Sequence, residues 1–345
     1  MSDHAPVAGV TGDAFPPSVA TDTHAFAPFI RTLGRGPGRS RSLTRAEARQ
    51  ALGMVLRREV KPEQVGALLM LLRYRGEAAD EMAGLVEAAR DHAGLPWQFA
   101  KPVDVDWPSY ADGRTRGLPW YLLAALLVAQ SGPRVLMHGP LAGPGRQSLA
   151  EALGLLGIPS CVSYEDAEAE LAVRRFAFLP LETLNAELAR LLALRGVLGL
   201  RSPLNTVGRL LDPASARVSV DGVFHPAYIE LHLAAGDLLG RHITVIKGGG
   251  GETEWSGAKA LSLNSSSGEQ SWPALPDAGK SSSKSAKEMF AVWQGRLDDP
   301  CGAATVIATA AVALHAAGAA SDAASSVAMA RNLWAQRITA TPPFR

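Results

Sequence analysis

The sequence predicts an α/β protein with a small N-terminal helical lobe followed by a larger α/β lobe on a mainly parallel central sheet. Three observations predict it. Between Leu43 and Gly94 the apolar residues recur at helical spacing in three successive stretches, with no strand pattern among them. Beyond residue 100, short apolar runs alternate with longer apolar helical stretches, the signature of a sheet covered by helices. The chain has 345 residues, 47% of them apolar, which is more than one typical domain and enough for two compact lobes.

Residues 1–24 are rich in Pro, Gly, Ala and Asp without any period and are expected to be a disordered tail. Structure is expected from Phe26 onward. LTRAEARQALGMVLRREV places Ala48, Leu52, Val55 and Leu56 on one helical face after a Ser/Thr start, and KPEQVGALLMLLRYRG repeats the pattern after Pro62. EAADEMAGLVEAARDHAG is the third helix, stopped by Gly94. These define a helical domain over residues 25–100, to which 190–212 also contribute, and an α/β domain over 101–345. Strands are predicted at Val103–Trp107, Arg134–Gly139, Arg175–Pro180, Arg217–Gly222 and His242–Gly249. Residues 261–288, dominated by Ser, Gly and Pro, read as an exposed hairpin or loop before two closing helices. Ala303–Ala320 is apolar but alanine-rich and interrupted by Thr305, Thr309 and His315, so a helix packed inside the protein is expected there, with no membrane partner.

Cys161 and Cys301 are too few for a disulfide framework or a cysteine metal site, and the N-terminus has no basic start followed by an apolar core. A cytoplasmic protein is the expectation. The glycines of Lys247–Trp255, KGGGGETEW, fail the dinucleotide fingerprint at Thr253, and Gly279-Lys280-Ser281 lacks the earlier P-loop glycine, that position being Ala274.

The most informative stretch is Leu194–Ala214, LRGVLGLRSPLNTVGRLLDPA. It sets Arg195, Arg201, Asn205 and Arg209 ahead of a Gly-bearing turn closed by Asp212-Pro213. Together with FIRTLGRGPGRSRSLTRAEARQALGMVL, LLMLLRYRGEAADEMAGLVEAAR, the Pro108–Tyr110 tripeptide and VLMHGP at Val135–Pro140, it resembles the anthranilate phosphoribosyltransferases of glycosyl transferase family 3, and among them the YbiB-type paralogues. The resemblance runs from Phe26 to the C-terminus. It implies a helical lobe and an α/β lobe with the active cleft between them, and dimerisation through the helical lobes.

Three departures from the enzymes' pattern follow. Their Gly-Thr-Gly-Gly-Asp loop, where bare backbone approaches a pyrophosphate, is here Pro108-Ser109-Tyr110-Ala111-Asp112-Gly113; proline removes a donor and tyrosine adds bulk. Asp112 and Gly113 fit either a remnant of the motif or an ordinary turn. Their Lys-His-Gly-Asn becomes Met137-His138-Gly139-Pro140, which loses a cation and leaves His138 with no acid partner nearby in sequence. Their acidic pair for magnesium falls in KGGGGETEW, where Glu252 or Glu254 can replace one acid, too little for a metal site. Gly250 and its neighbours can form an anion cradle or a flexible loop. Ser109, Asp112, His138, Gly139, Arg195, Arg201, Asn205 and Gly250 are thus the expected remnant of a substrate and phosphate cleft, with no cofactor unless transfer survives, when magnesium is needed.

Between residues 31 and 75 stand eleven basic residues against three acidic, although the whole chain carries only +1. Such asymmetry marks a phosphate-backbone binder, and Arg31, Arg35, Arg39, Arg41, Arg45 and Arg49 are the expected contacts to single- or double-stranded nucleic acid. The function expected is non-sequence-specific nucleic-acid binding on a degenerate transferase scaffold. The alternative is a phosphoribosyl or glycosyl transferase with an atypical donor loop. The apolar run Leu68–Leu72 adds the expectation of a homodimer.

Overall fold

The computed structural model describes residues 24–36, 38–111, 117–141, 146–276 and 278–339. Its first layer is helical: α1 Ala27–Gly34, α2 Arg45–Leu56, α3 Pro62–Arg75 and α4 Ala79–His92. Each start is written in the sequence. Thr44 caps α2 and forms a capping box with Glu47, Pro62 opens α3, and Gly94, at φ +64°, follows the end of α4. α1 is not among the helices expected from the sequence, because its period shows only through two buried anchors one turn apart, Phe29 and Leu33, before a glycine-rich loop.

The α/β lobe follows as β1 Val105–Pro108, α5 Trp120–Gln130, β2 Val135–Gly139, α6 Gln147–Leu155, α7 Tyr164–Arg174 and β3 Phe176–Pro180. Four short helices come next, α8 Leu181–Leu184, α9 Ala186–Ala193, α10 Arg195–Leu198 and α11 Leu204–Arg209. Then follow β4 Val218–Val223, α12 Ala227–Leu238, β5 Ile243–Lys247, and the hairpin β6 Leu261–Ser265 with β7 Gly268–Trp272. The seven strands lie in the order β3-β2-β1-β4-β5-β6-β7, the first five parallel and the hairpin antiparallel at one edge. All five strands predicted from apolar runs are present. They read as unbroken runs because both faces of the parallel sheet are covered.

Three helices close the chain, α13 Ala286–Trp293, α14 Pro300–Ala316 and α15 Ala323–Gln336, one more than expected. The serine run before α13 looked like loop but ends by capping it, Ser285 accepting from the Glu288 N–H; Ser281 and Ser283 donate to Asp299, which caps α14. α14 and α5 are apolar all round and buried together against the sheet, which is why the alanine run resembles a membrane segment. Among the described residues no helix is long and apolar enough to cross a membrane.

The leucines of the Leu68–Leu72 run are largely spent inside the chain's own fold: Leu68, Leu69 and Leu72 lie in the helical core, and Met70 and Leu71 are partly buried against it. Val207, Leu210 and Leu211 join the same core as Leu85 and Val86 of α4, which ties the arginine-bearing segment to the helical layer. α2 and α4 approach closely at Gly84, where a Cβ would stand 2.1 Å from the Arg45 carbonyl oxygen and 3.0 Å from the Ala48 Cβ. Backbone on one side cannot yield as a side chain does. Gly84→Ala is therefore expected to cost about 1–3 kcal/mol of stability, read from denaturant unfolding; an unchanged midpoint would mean that the two helices separate freely.

Candidate functional site

The ends of β1 and β2 lie side by side. The Ser109 N–H donates to the His138 carbonyl, and Gly139 has no room for a Cβ, which would stand 2.0 Å from the Ser109 carbonyl oxygen. Tyr110 turns inward. Its ring lies against His138 and over Gly208, its hydroxyl is 2.9 Å from His138 Nδ1, and burial pushes its phenol well above the usual range. Met137 is buried in the sheet core.

A carboxylate completes the closure. Glu252 Oε1 accepts from the Ala111 N–H at 2.9 Å and from the Ser109 hydroxyl at 3.1 Å, and lies 3.4 Å from the Arg146 guanidinium. Arg146 also donates to the Ser109 hydroxyl and carbonyl oxygens, both at 3.0 Å. Glu254 accepts from the Tyr121 N–H in the first turn of α5. Backbone N–H groups after a strand and at a helix start are where a free anion binds, and here the chain's own glutamates occupy them. Both acids proposed from the sequence as magnesium remnants are engaged in this way, and the described residues hold no group of three metal-ligating side chains. Asp112 and Gly113 lie outside the described residues.

The glycine turn spends most of its amides on itself. Gly249 N–H donates to Glu254 O, Gly251 N–H to Gly248 O and Glu252 N–H to Gly249 O, so these amides are consumed inside the turn. Gly250 and Gly251 have φ of +67° and +89°, which explains the glycines by backbone geometry.

Beside this closed end lies an open cavity of about 340 Å³. It brings together Arg195, Arg201 and Asn205, as the sequence order suggested, and adds residues that sequence reasoning did not assign to the site: Arg73 from α3 and His225, Tyr228 and His232 from the β4–α12 segment. Arg209 fastens the floor, donating to the carbonyls of Asn205 and Gly251 at 3.2 and 3.0 Å. Arg73 donates to the Tyr228 hydroxyl, which bonds Glu77. Phe224 leaves 52% of its surface exposed at the rim. Cationic forks beside an aromatic face suit an anionic ring. A helical period calculation cannot find these residues, since three separate segments supply them.

His138 does have an acid partner. Asp106, two residues before Pro108 on the neighbouring strand, places Oδ1 3.1 Å from His138 Nε2. Adjacent parallel strands supply what the linear sequence does not. On the other side of the cavity wall, Asp221 Oδ2 lies 2.8 Å from His232 Nδ1.

The basic lobe is less basic than its sequence window. Arg41 is paired with Glu47 at 2.7 Å, Arg45 with Glu87 at 2.6 Å and Arg49 with Asp91 at 2.7 Å. Glu87 and Asp91 belong to α4, beyond the window but packed against α2. Counting residues 31–92 reduces the excess of eight positive charges to four. Arg31, Arg35 and Arg39 are exposed and form no ion pair among the described residues.

Residues 27–93 match the glycosyl transferase family helical bundle domain. The anthranilate phosphoribosyltransferase of Geobacillus stearothermophilus is 31% identical over 307 residues, covering 84% of this chain and 89% of that enzyme. The chain belongs to the anthranilate phosphoribosyltransferase family. The enzyme of Beijerinckia indica is 33% identical over 238 residues, 66% of each chain, so the match spans just under two thirds of that relative. Escherichia coli YbiB is 31% identical over 59% of this chain and 64% of its own. The Thermus thermophilus anthranilate phosphoribosyltransferase structure shares the fold at a TM-score of 0.74 and 24% identity, covering 91% of this chain and 95% of that one.

The family's arginine segment ends at Asp212, which is buried at φ +41°. Burial first, and then the nearby Asp106 charge, push its carboxyl up to about 6. A carboxyl raised in the folded state stabilises below its ordinary value of 3.8, and that contribution is lost as pH rises through about 6. Asp212→Asn keeps an acceptor for the Ala216 N–H and should gain stability relative to the parent as pH rises from about 4 to about 7. Denaturant unfolding across that range checks it; a pH-independent difference would contradict the assignment.

Proposed function

We propose that the protein binds a small aromatic anion in the acceptor half of a phosphoribosyltransferase scaffold, while its own side chains close the donor half. The observation that carries this reading is the Glu252 carboxylate seated on the Ala111 N–H, the Ser109 hydroxyl and Arg146, beside the inward ring of Tyr110. An arriving pyrophosphate would have to displace a buried, paired carboxylate and add charge of the same sign. The cleft with Arg195, Arg201 and Asn205 remains open, and the family's enzymes, named for anthranilate, support an aromatic carboxylate as its ligand. Titration calorimetry with anthranilate should give saturable binding that weakens about 10- to 100-fold in Arg201→Ala, the scale of a charge-assisted bond. A fluorescence assay with anthranilate, the sugar pyrophosphate donor and magnesium should give no turnover. Turnover that disappears in Arg195→Ala or Arg201→Ala would make the protein a working transferase and sink the closed-donor reading.

Nucleic-acid binding is the second reading, favoured by the exposed Arg31, Arg35 and Arg39 at the end of α1. Association of two copies through the helical lobes would place two such edges along one strand and raise avidity. Replacing these three arginines with alanine should lower the salt slope of binding by about one unit per lost phosphate contact. The same replacement of Arg41, Arg45 and Arg49, which are already paired, should change the slope less. Equal slopes in the parent and both triple variants would remove this surface from consideration.

A further inference from the structure

A line of buried polar side chains crosses the sheet beneath the cleft. It begins at the Tyr110 hydroxyl, 2.9 Å from His138 Nδ1, and continues through His138 Nε2, 3.1 Å from Asp106 Oδ1. Asp106 Oδ2 and Asp221 Oδ1 each lie 2.9 Å from the Ser219 hydroxyl oxygen. Asp221 Oδ2 ends the line, 2.8 Å from His232 Nδ1. All six residues are at most 6% exposed, and only His232 lines the cavity.

Proton counting makes this line unusual. Four of its five contacts have hydrogen-bond geometry; His138 Nε2 and Asp106 Oδ1, though 3.1 Å apart, are not hydrogen-bonded. Each of the four requires one proton between the two heavy atoms, because lone pairs facing each other in a dry interior repel. The two hydroxyls and the neutral His232 imidazole supply one each. With both carboxylates ionised, three protons serve four hydrogen bonds. The hydroxyl of Ser219 has a single proton and cannot donate to Asp106 and Asp221 together. The His232 proton is already committed to Asp221, so the fourth proton belongs to one of the two carboxyls flanking Ser219. Either Asp106 donates to Ser219 and Ser219 to Asp221, or the reverse; a concerted shift across the hydroxyl interconverts them.

We propose that Asp106 and Asp221 share one proton through Ser219, and that Asp106, Ser219, Asp221 and His232 form a proton relay whose outlet is His232 Nε2 in the cleft. The ligand class follows, resting on the cleft being the ligand site proposed above. With Nδ1–H committed to Asp221, Nε2 is an acceptor. A bound O–H breaks with its electron pair left on oxygen, and the N–H bond forms at Nε2. The shared proton then moves onto Asp106, leaving Asp221 fully charged beside the imidazolium, while the cleft arginines hold the new oxyanion. An aromatic amine is too weak an acid to use this device, whereas a phenol can. The ligand is therefore an aromatic anion bearing a hydroxyl. Charged and titratable groups facing the line are Arg146 and Glu182 at the Tyr110 end, Arg90, Arg241 and Asp212 on the Asp106 side, and Arg73, Arg201, Arg209 and His225 on the His232 side, with Glu252 beside Arg209 and Glu77 behind Tyr228.

The test titrates the full chain with 3- and 4-hydroxybenzoate, with benzoate as the reference, following the red-shifted phenolate absorbance. The expected result is bound phenolate at a pH where the free compound is phenol, with affinity about tenfold above benzoate. His232→Gln should abolish the phenolate signal, Ser219→Ala should reduce it, and Ser219→Thr, which restores a hydroxyl, should recover it; benzoate binding reports whether each variant keeps its cleft. Phenol bound without ionisation by the parent, or equal phenolate signals in parent and Ser219→Ala, would overturn the relay. If neither benzoate nor hydroxybenzoate binds, the ligand class fails together with the proposed function. The shared proton is then read separately by infrared difference spectroscopy of the ligand-free protein. A protonated-carboxyl band present in the parent and in Asp212→Asn but missing from Asp221→Asn sustains it, and absence of the band from the parent overturns it.

Discussion

The seat of the Glu252 carboxylate is the constraint from which the rest of the site follows. A strand end beside a helix start concentrates unpaired N–H groups, and such a place must hold an anion, water or a side chain. In this chain Glu252 and Glu254 fill it from a turn after β5, and Arg146 balances the charge. Because that turn is closed on itself through Gly249 and Gly251, the glutamates are delivered by backbone geometry and cannot drift away. Tyr110 then has nowhere to go but inward, onto Gly208 and His138.

Beside the closed end lies an open cavity of different character. Its cations come from α3 and from the Arg195–Arg209 segment, and the β4–α12 junction adds His225, Tyr228 and His232, so the cavity exists only when the helical layer and the sheet are packed together. Below it, two histidines and two aspartates are buried without a neutralising lysine in line, and a serine stands between the acids. Burying such groups costs considerable desolvation energy, which the proposed sharing of one proton between the two acids would lower.

The electrostatic lesson concerns windows of sequence. Eleven basic residues in forty-five look like a binding surface. Helix packing sets α4 against α2, and its acids pair with the arginines at the α2 start. The exposed arginines around the end of α1, Arg31, Arg35 and Arg39, have no such acid among the described residues.

The amino-acid sequence determined the α/β class, the five parallel strands and the helices that carry caps, because these depend on local periodicity and on local backbone preferences. It also determined the loss of a bare-backbone loop at Pro108–Ala111, since proline and tyrosine cannot imitate glycine anywhere. The family, too, was legible in the order of Arg195, Arg201 and Asn205. The tertiary structure alone decided what occupies the vacated loop, which acid serves His138, and which arginines remain unpaired. Those depend on residues far apart in the chain, 143 positions from Ser109 to Glu252 and 42 from Arg49 to Asp91. A hydrogen bond or ion pair requires approach within a few ångströms, and sequence spacing carries no distance between segments that meet only when the sheet and helices have packed.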